Sequence, residues 1–134
     1  MNIQANIKGV RMSPRKVSLV ASLVRGRTVA DALVILQHTP KRAATPVLKA
    51  ISSARANAVT NHRVDEKSLV IEHLQVTAGT RTKRFRPAAM GRALPYQKRT
   101  SHIKVVLSGA EKPKKTTAAK TAEAKPAAEK AEKE

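Results

Sequence analysis

The chain has 134 residues and a formal net charge of +18, with 27 Lys or Arg against nine Asp or Glu. This length suffices for one domain with a modest core. The absence of Cys excludes disulfides and thiolate metal sites, and neither a signal peptide nor a membrane-spanning apolar run is expected. A domain of such charge repels itself unless a polyanion binds it, which favours a cytoplasmic nucleic-acid-binding protein over a protein of anionic membrane surfaces.

The N-terminal part predicts a strand followed by a helix. Polar and apolar residues alternate over 2–8, as in a strand with one buried face. Ser13, Pro14 and Gly26 are residue types typical of the N-cap, the first position and the C′ position of a helix. The apolar face of this helix would comprise Val17, Val20, Ala21 and Val24.

Two more helices are predicted before the middle of the chain. Thr28 can cap the first of them, with Asp31 in its first turn, and this helix should end near Pro40. The next should run over about 41–61, where Pro46 is tolerated only within the first turn. The residues expected to face the core are Ala32, Leu33, Leu36, Val47, Ile51, Ala54 and Ala58.

The C-terminal half predicts two strands that form a long hairpin. Leu69–Gly79 and 102–108 have strand patterns, and a change of apolar phase near Glu72–His73 indicates a bulge. Residues 79–106 hold eight Lys or Arg, no acid, and the only Phe and Tyr of the chain. If both strands continue into this segment, they form a ribbon about 40 Å long that turns near Pro87–Gly91. Such a ribbon is marginal in water and needs a partner along its length.

The element order is therefore strand, three helices, two strands, which predicts an α+β fold. We expect a globular domain over 1–109 that includes the extended hairpin at about 79–102. Residues 110–134 are mostly Ala, Lys, Glu, Thr and Pro. A segment with so few large apolar residues does not offset its ordering entropy by burial, so we expect a disordered tail.

No constellation of residues supports enzyme chemistry. Glu72 and His73 are neighbours on a predicted strand, so they point to opposite faces and do not converge on a metal. Asp65 and Glu66 lie in a polar loop, where a solvated turn is favoured over an acid/base pair. Neither a phosphate-binding glycine loop nor a nucleophile elbow is present in the sequence. We therefore expect no catalytic residues, no cofactor and no metal.

Basic residues cluster at the predicted helix ends. The segment "SPRK" at 13–16 places two cations beside the free backbone N–H groups of a helix start, which favours an anion site over an ordinary capped helix. Each remaining cation alone is more often part of a solvated face, but together, with few acids nearby, they favour one polyanion-binding surface. The candidate contacts before the hairpin are Lys8, Arg11, Ser13, Arg15, Lys16, Arg25, Arg27, Lys41, Arg42 and Lys49.

The hairpin gives the strongest binding signal. Alternate residues of a strand point to opposite faces, so both faces of the ribbon should be basic, which suits insertion between nucleic-acid segments. Phe85 or Tyr96 can stack on an exposed base; alternatively, the two rings pack on each other across the ribbon. The candidate contacts here are Arg81, Lys83, Arg84, Arg86, Arg92, Lys98, Arg99, Thr100, Ser101 and His102.

Three segments resemble the bacterial family of large-subunit ribosomal protein twenty-two. They are "RMSPRKVSLVASLVRG" at 11–26, "PKRAATPVLKAISSARANA" at 40–58 and "GRALPYQKRTSHIKVV" at 91–106. The similarity extends over roughly 1–108. It implies a three-stranded antiparallel sheet with helices on one face and a long protruding hairpin. It also implies a structural component of the large ribosomal subunit that takes part in early assembly.

The resemblance further implies the partners. These are large-subunit (23S) ribosomal RNA, neighbouring ribosomal proteins and the nascent polypeptide in the exit tunnel, with macrolides binding near the hairpin tip and with neither a membrane nor a small-molecule substrate. Ala88 and Met90 stand where many members carry basic residues, so this tip is less charged. The implied tunnel-lining tip comprises Arg84, Phe85, Arg86, Pro87, Ala88, Ala89, Met90 and Gly91.

The alternative is a histone-like protein that compacts DNA. The segments "SPRK" and "KPKK" look like the minor-groove motifs of linker histones, and bacterial nucleoid proteins also have basic two-stranded arms. Against this alternative, the tail is nearly neutral overall. A histone-like protein also does not account for the segment at 91–106.

Overall fold

The computed structural model describes residues 2–110. The predicted α+β class and element order are confirmed. The expected disordered tail lies, from residue 111 onward, outside the described residues. The elements are β1 (Asn2–Val10), α1 (Pro14–Val24), α2 (Val29–His38), α3 (Ala44–His62), β2 (Val70–Pro87) and β3 (Ala93–Ser108), with short 3₁₀ turns at Glu66–Ser68 and Ala89–Gly91.

The three strands form one antiparallel sheet in the order β1-β3-β2, with β3 in the centre. β1 pairs with β3 from Asn2 opposite Ser108 to Val10 opposite Ser101. β2 stays paired with β3 much further, to Pro87 opposite Ala93. The two longer strands therefore leave the sheet together as a ribbon, as the sequence predicted.

The ends of α1 and α2 follow the residue types that the sequence supplies. Ser13 is the N-cap residue of α1 with extended backbone angles, but its side chain makes no capping hydrogen bond. Gly26, just beyond α1, has a φ of +72°, which favours glycine because other residues are strained there. The hydroxyl of Thr28 accepts a 3.2 Å hydrogen bond from the Asp31 N–H and donates a 2.7 Å bond to its carboxylate. Thr28 thus caps α2 as predicted.

Pro46 is the third residue of α3. A backbone N–H at this position would have no acceptor within the helix, so the proline interrupts no helical hydrogen bond. The predicted apolar positions of α3 are all buried, and Ala50 joins them. Short alanine side chains on this face let α3 pack closely on β1 and β3. Of the inward positions predicted for α2, Leu33 is only partly buried.

The core lies between one face of the sheet and the helices. The sheet contributes Ile3, Ala5, Ile71, Leu74, Ile103, Val105 and Leu107, all at most 7% exposed. The helices contribute Val17, Val20, Ala21, Val24, Val29, Ala32, Leu36, Ala44, Val47, Ala50, Ile51, Ala54 and Ala58. None of the described helices is long and apolar enough to cross a bilayer.

Three irregularities interrupt the strand pairing. The first lies between Ile71 and His73 in β2, where the sequence predicted a bulge. The second lies between Ala78 and Arg81 in β2, and the third in β1 before Val10. Neither of the last two was predicted, and both lie where β1 ends and the ribbon begins.

Candidate nucleic-acid interface

The start of α1 faces a groove of about 710 Å³. Three separate parts of the chain enclose it: the loop from β1 into α1, the loop from α2 to α3, and the base of the ribbon on β3. We call this site the basic groove, because Arg11, Lys16, Lys41, Arg42 and Arg99 line it and no acidic residue does. Its remaining lining residues are Met12, Ser13, Leu19, Val20, Leu23, Thr39, Ala43 and Gln97.

A smaller pocket of about 180 Å³ adjoins the basic groove and shares Ser13 and Arg99 with it. Arg15 and Arg81 add two more cations here, from α1 and β2. The first turn of α1 has neither a side-chain cap nor an acidic residue. The partial positive charge of a helix start is therefore added to that of the cations, so this end of the molecule attracts anions.

The ribbon carries cations on both faces. Directly opposite residues share a face, so Arg84, opposite Tyr96, lies on one face and Lys83, opposite Gln97, lies on the other. No residue from Thr77 to Thr100 is buried, so the ribbon beyond Val76 adds nothing to the core. The exposed cations of the ribbon are Arg81, Lys83, Arg84, Arg86, Arg92, Lys98 and Arg99.

The two aromatic rings lie on opposite faces of the ribbon. Phe85 is paired with Pro95, the neighbour of Tyr96, so the alternative that both rings pack together is wrong. Instead, the Arg86 guanidinium lies 4.8 Å from the centroid of the Tyr96 ring, in a cation–π contact. Phe85 is 69% exposed to solvent.

The tip is a tight turn with little charge. The N–H of Ala88 donates a 2.8 Å hydrogen bond to the carbonyl of Arg92, which closes the turn. Met90 has a φ of +58° and is 94% exposed. The turn thus falls within the predicted segment 87–91, and it presents Ala and Met side chains rather than cations.

Some candidate cations do not line the basic groove. Arg25 donates through Nε to the carbonyl of Leu74 at 2.9 Å. The backbone of 26–27 also exchanges two 3.0 Å hydrogen bonds with Ile71, so this segment is attached to the edge of β2. Lys49 is exposed on α3 and Lys8 near the end of β1, and neither lines the groove.

The three polar residues at the base of β3 have different surroundings. Ser101 is fully buried and its hydroxyl has no hydrogen-bond partner, so its side chain is not open to RNA. Thr100 donates to the carbonyl of Thr80 at 2.8 Å, and His102 accepts from the N–H of Gly9. We therefore do not expect the Ser101 side chain to contact RNA, whereas Thr100 and His102 are accessible but have structural partners.

Sequence reasoning missed the apolar part of the lining of the basic groove. Leu19 and Leu23 are spaced by four residues on α1, outside the face formed by its buried valines. Two leucines off the core face of an amphipathic helix are a signal that could have indicated a second apolar surface. Among residues 2–110, no three His, Asp or Glu side chains cluster as metal ligands do.

A small α+β domain with a basic groove and a protruding basic ribbon is typical of structural proteins that bind polyanions. A family model described as "Ribosomal protein L22p/L17e" matches residues 5–108, and the chain belongs to this family. The resemblance seen in the sequence is confirmed. The chain is a structural component of the large ribosomal subunit and takes part in translation in the cytoplasm.

Membership of this structural, non-enzymatic family implies binding to large-subunit ribosomal RNA and to other ribosomal proteins. Nothing in the fold or in the family match favours the histone-like alternative. Residues 109–134 lie outside the matched range.

Proposed function

We propose that a domain spanning 1–109 binds 23S ribosomal RNA through the basic groove and the adjoining base of the ribbon. The observation that carries this proposal is the meeting of cations from three separate parts of the chain around the start of α1. Folding brings these like charges together at a cost in free energy, which neutralisation by RNA phosphates removes. Such contacts position an RNA by its backbone, which suits a role in early assembly of the subunit.

The ribbon inserts between RNA segments and lines the nascent-peptide exit tunnel. Its lack of buried residues and the cations on both faces support this proposal, because both features suit surrounding RNA better than a single flat surface. The uncharged turn at 87–91 binds phosphates weakly and leaves an apolar surface towards a passing polypeptide. The family resemblance further implies that macrolides bind near the tip, residues 84–91.

The proposed contacts form two groups. The groove and ribbon group comprises Arg11, Ser13, Arg15, Lys16, Lys41, Arg42, Arg81, Lys83, Arg84, Arg86, Arg92, Lys98 and Arg99. The second group holds the cations outside the groove, which contact RNA as separate points: Lys8, Arg25, Arg27 and Lys49. Thr100 and His102 contact RNA only through atoms that their structural hydrogen bonds leave free.

The test is the salt dependence of binding to purified large-subunit ribosomal RNA. Arg11→Ala, Lys16→Ala and Arg84→Ala should each weaken binding and reduce the slope of log affinity against log salt by about one. Lys67→Ala is the matched control, because Lys67 is an exposed cation of the 3₁₀ turn outside the groove. Equal slopes for all four variants and the unchanged chain would contradict the proposal.

Ultraviolet crosslinking in cells shows whether the chain binds ribosomal RNA or genomic DNA. Crosslinks at a few sites of large-subunit ribosomal RNA, with ribbon peptides attached, are expected. Crosslinks spread over genomic DNA would instead support the histone-like alternative.

A further inference from the structure

Part of the lining of the basic groove is apolar, which phosphate contacts alone do not explain. Leu19 is 72% exposed and Leu23 is 48% exposed, although α1 has a separate core face. Met12 and Val20 also belong to this apolar part of the lining. Phosphates bind to cations and N–H groups, so a site for phosphates alone needs no leucines.

The groove therefore combines two kinds of surface. Five cations line it beside the apolar residues, and Ser13, Thr39 and Gln97 add groups that donate or accept hydrogen bonds. Its volume of about 710 Å³ lies within the range of small-ligand sites, about 300–1,000 Å³. The occupant must be anionic at its edges and must offer an apolar face towards α1.

We propose that the basic groove holds an unpaired nucleotide of the ribosomal RNA, with its base on Leu19 and Leu23 and its flanking phosphates on the cations of the groove. This inference rests on the proposed function. A paired nucleotide has its base faces covered by neighbouring pairs, whereas an unpaired one exposes both its base face and its phosphates. The polar lining residues then contact the edges of the base.

An acidic protein segment with apolar side chains is the competing occupant. The charge of the groove favours RNA, because its lining has five cations and no acid. RNA supplies one phosphate per nucleotide and so matches this density of cations with a short segment. A peptide would have to present several carboxylates around a single apolar anchor.

The first experiment identifies the occupant directly. A photoreactive amino acid replaces Leu23 in the full chain, which is then bound to large-subunit ribosomal RNA and assembled into subunits. We expect a crosslink to one nucleotide that is unpaired in the RNA. The same replacement at Val34, which is 55% exposed on α2 outside the groove, should give no such crosslink. A crosslink to a ribosomal protein or to paired nucleotides, or none at Leu23, overturns the proposal.

The second experiment measures what the leucines contribute. The double variant Leu19→Ser/Leu23→Ser should bind the RNA about tenfold more weakly, because the base loses the apolar surface that it covers. Its salt slope should not change, because no cation is removed. Val34→Ser is the matched control and should keep full affinity. Both leucines are exposed, so the circular dichroism spectrum should also be unchanged.

The outcomes separate this inference from the proposed function. If the groove cations affect the salt slope but the double leucine variant binds as the unchanged chain does, only the nucleotide proposal fails. If the unchanged chain does not bind the ribosomal RNA at all, the proposed function fails and takes this inference with it. A fall in affinity accompanied by a smaller salt slope would also overturn the inference, because the leucines would then act through the cations.

Discussion

His102 accepts a hydrogen bond through Nδ1 from the backbone N–H of Gly9, 93 residues earlier, at 2.9 Å. Gly9 has a φ of +75° in the irregular end of β1, and His102 lies on the central strand. The same imidazole lies against Gly79 of β2, where a Cβ atom would stand 3.2 Å from two ring atoms. One side chain thus contacts all three strands at the point where the ribbon leaves the domain.

Replacing His102 should weaken this junction. His102→Ala removes one hydrogen bond and should lower the free energy of unfolding by about 0.5–1.5 kcal/mol. His102→Asn should lose less, because its side-chain oxygen can accept in place of Nδ1. Urea denaturation of the variants measures both changes, and equal stability of the Ala and Asn variants would show that the hydrogen bond contributes nothing.

Gly79 is required by close packing rather than by its backbone angles. Its φ lies outside the left-handed region, but an added Cβ would be 2.5 Å from the Thr100 hydroxyl oxygen. That hydroxyl is held by its bond to Thr80, and the β-branched side chain has little rotational freedom. Gly79→Ala should therefore destabilise the domain by about 1–3 kcal/mol.

A double variant checks the cause of this loss. In the Thr100→Ala background the hydroxyl is absent, so the further cost of Gly79→Ala should be smaller than in the unchanged chain. Chemical denaturation of the four proteins gives the coupling. Strict additivity would mean that the Cβ added at position 79 clashes with something else.

Ser101 offers the opposite case, a polar side chain whose removal should do no harm. Its hydroxyl is buried without a partner, which costs free energy in the folded state. Ser101→Ala should leave stability unchanged or raise it by up to about 1 kcal/mol, with ribosomal RNA affinity unaffected. Thermal denaturation and filter binding test this, and weaker RNA binding would restore Ser101 as a contact.

The sequence contained the information needed to place Ser101. It has the same parity as Ile103, Val105 and Leu107, so strand alternation alone assigns it to the inner face. Ser101 was nevertheless predicted as a contact, together with the other polar residues at the base of the basic hairpin. The ends of α1 and α2 were predicted well because caps and prolines act within a few residues of themselves, whereas α3 begins at Ala44 rather than near residue 41.

The junction and the groove were beyond local reasoning. Gly9, Gly79 and His102 are far apart in the chain and meet only when the sheet has formed. Similarly, the positive charges of Arg11 and Arg42 predicted binding to a polyanion. That both line one groove depends on how α1 packs beside the loop from α2 to α3. Sequence periodicity gives the face of an element, and tertiary packing decides which faces become neighbours.

Removing the ribbon should leave the domain folded. Residues 82–98 contain no buried residue, and Arg81 pairs directly with Arg99. Replacement of 82–98 by Asn-Gly, a common two-residue turn, should change the free energy of unfolding by less than about 1 kcal/mol. The shortened chain should still bind ribosomal RNA, more weakly and with a smaller salt slope. Loss of the cooperative unfolding transition would show that the domain depends on the ribbon.

The contact between Arg86 and Tyr96 should affect RNA binding more than folding. A cation–π contact at an exposed site contributes about 0.5–1 kcal/mol. Tyr96→Leu should therefore weaken RNA binding about two- to fivefold, because the guanidinium is no longer held in position. Tyr96→Phe keeps the ring and should bind normally.

The Arg86→Ala background provides the control for this prediction. There, Tyr96→Leu should have no further effect on affinity. A full effect of Tyr96→Leu in that background would mean that Tyr96 contacts RNA by itself.

The backbone bonds from 26–27 to Ile71 have a consequence for newly made chains. They close the outer edge of β2 near its start, where an open strand could pair with another copy. Further along, cations and the prolines at 87 and 95 protect the two edges of the ribbon in another way, by repulsion and by missing N–H groups. A strand of eighteen residues, most of it in a ribbon that no helix covers, would otherwise tend to pair with other copies and aggregate. The like charges that oppose folding in the absence of RNA also repel other copies of the chain until the chain binds RNA.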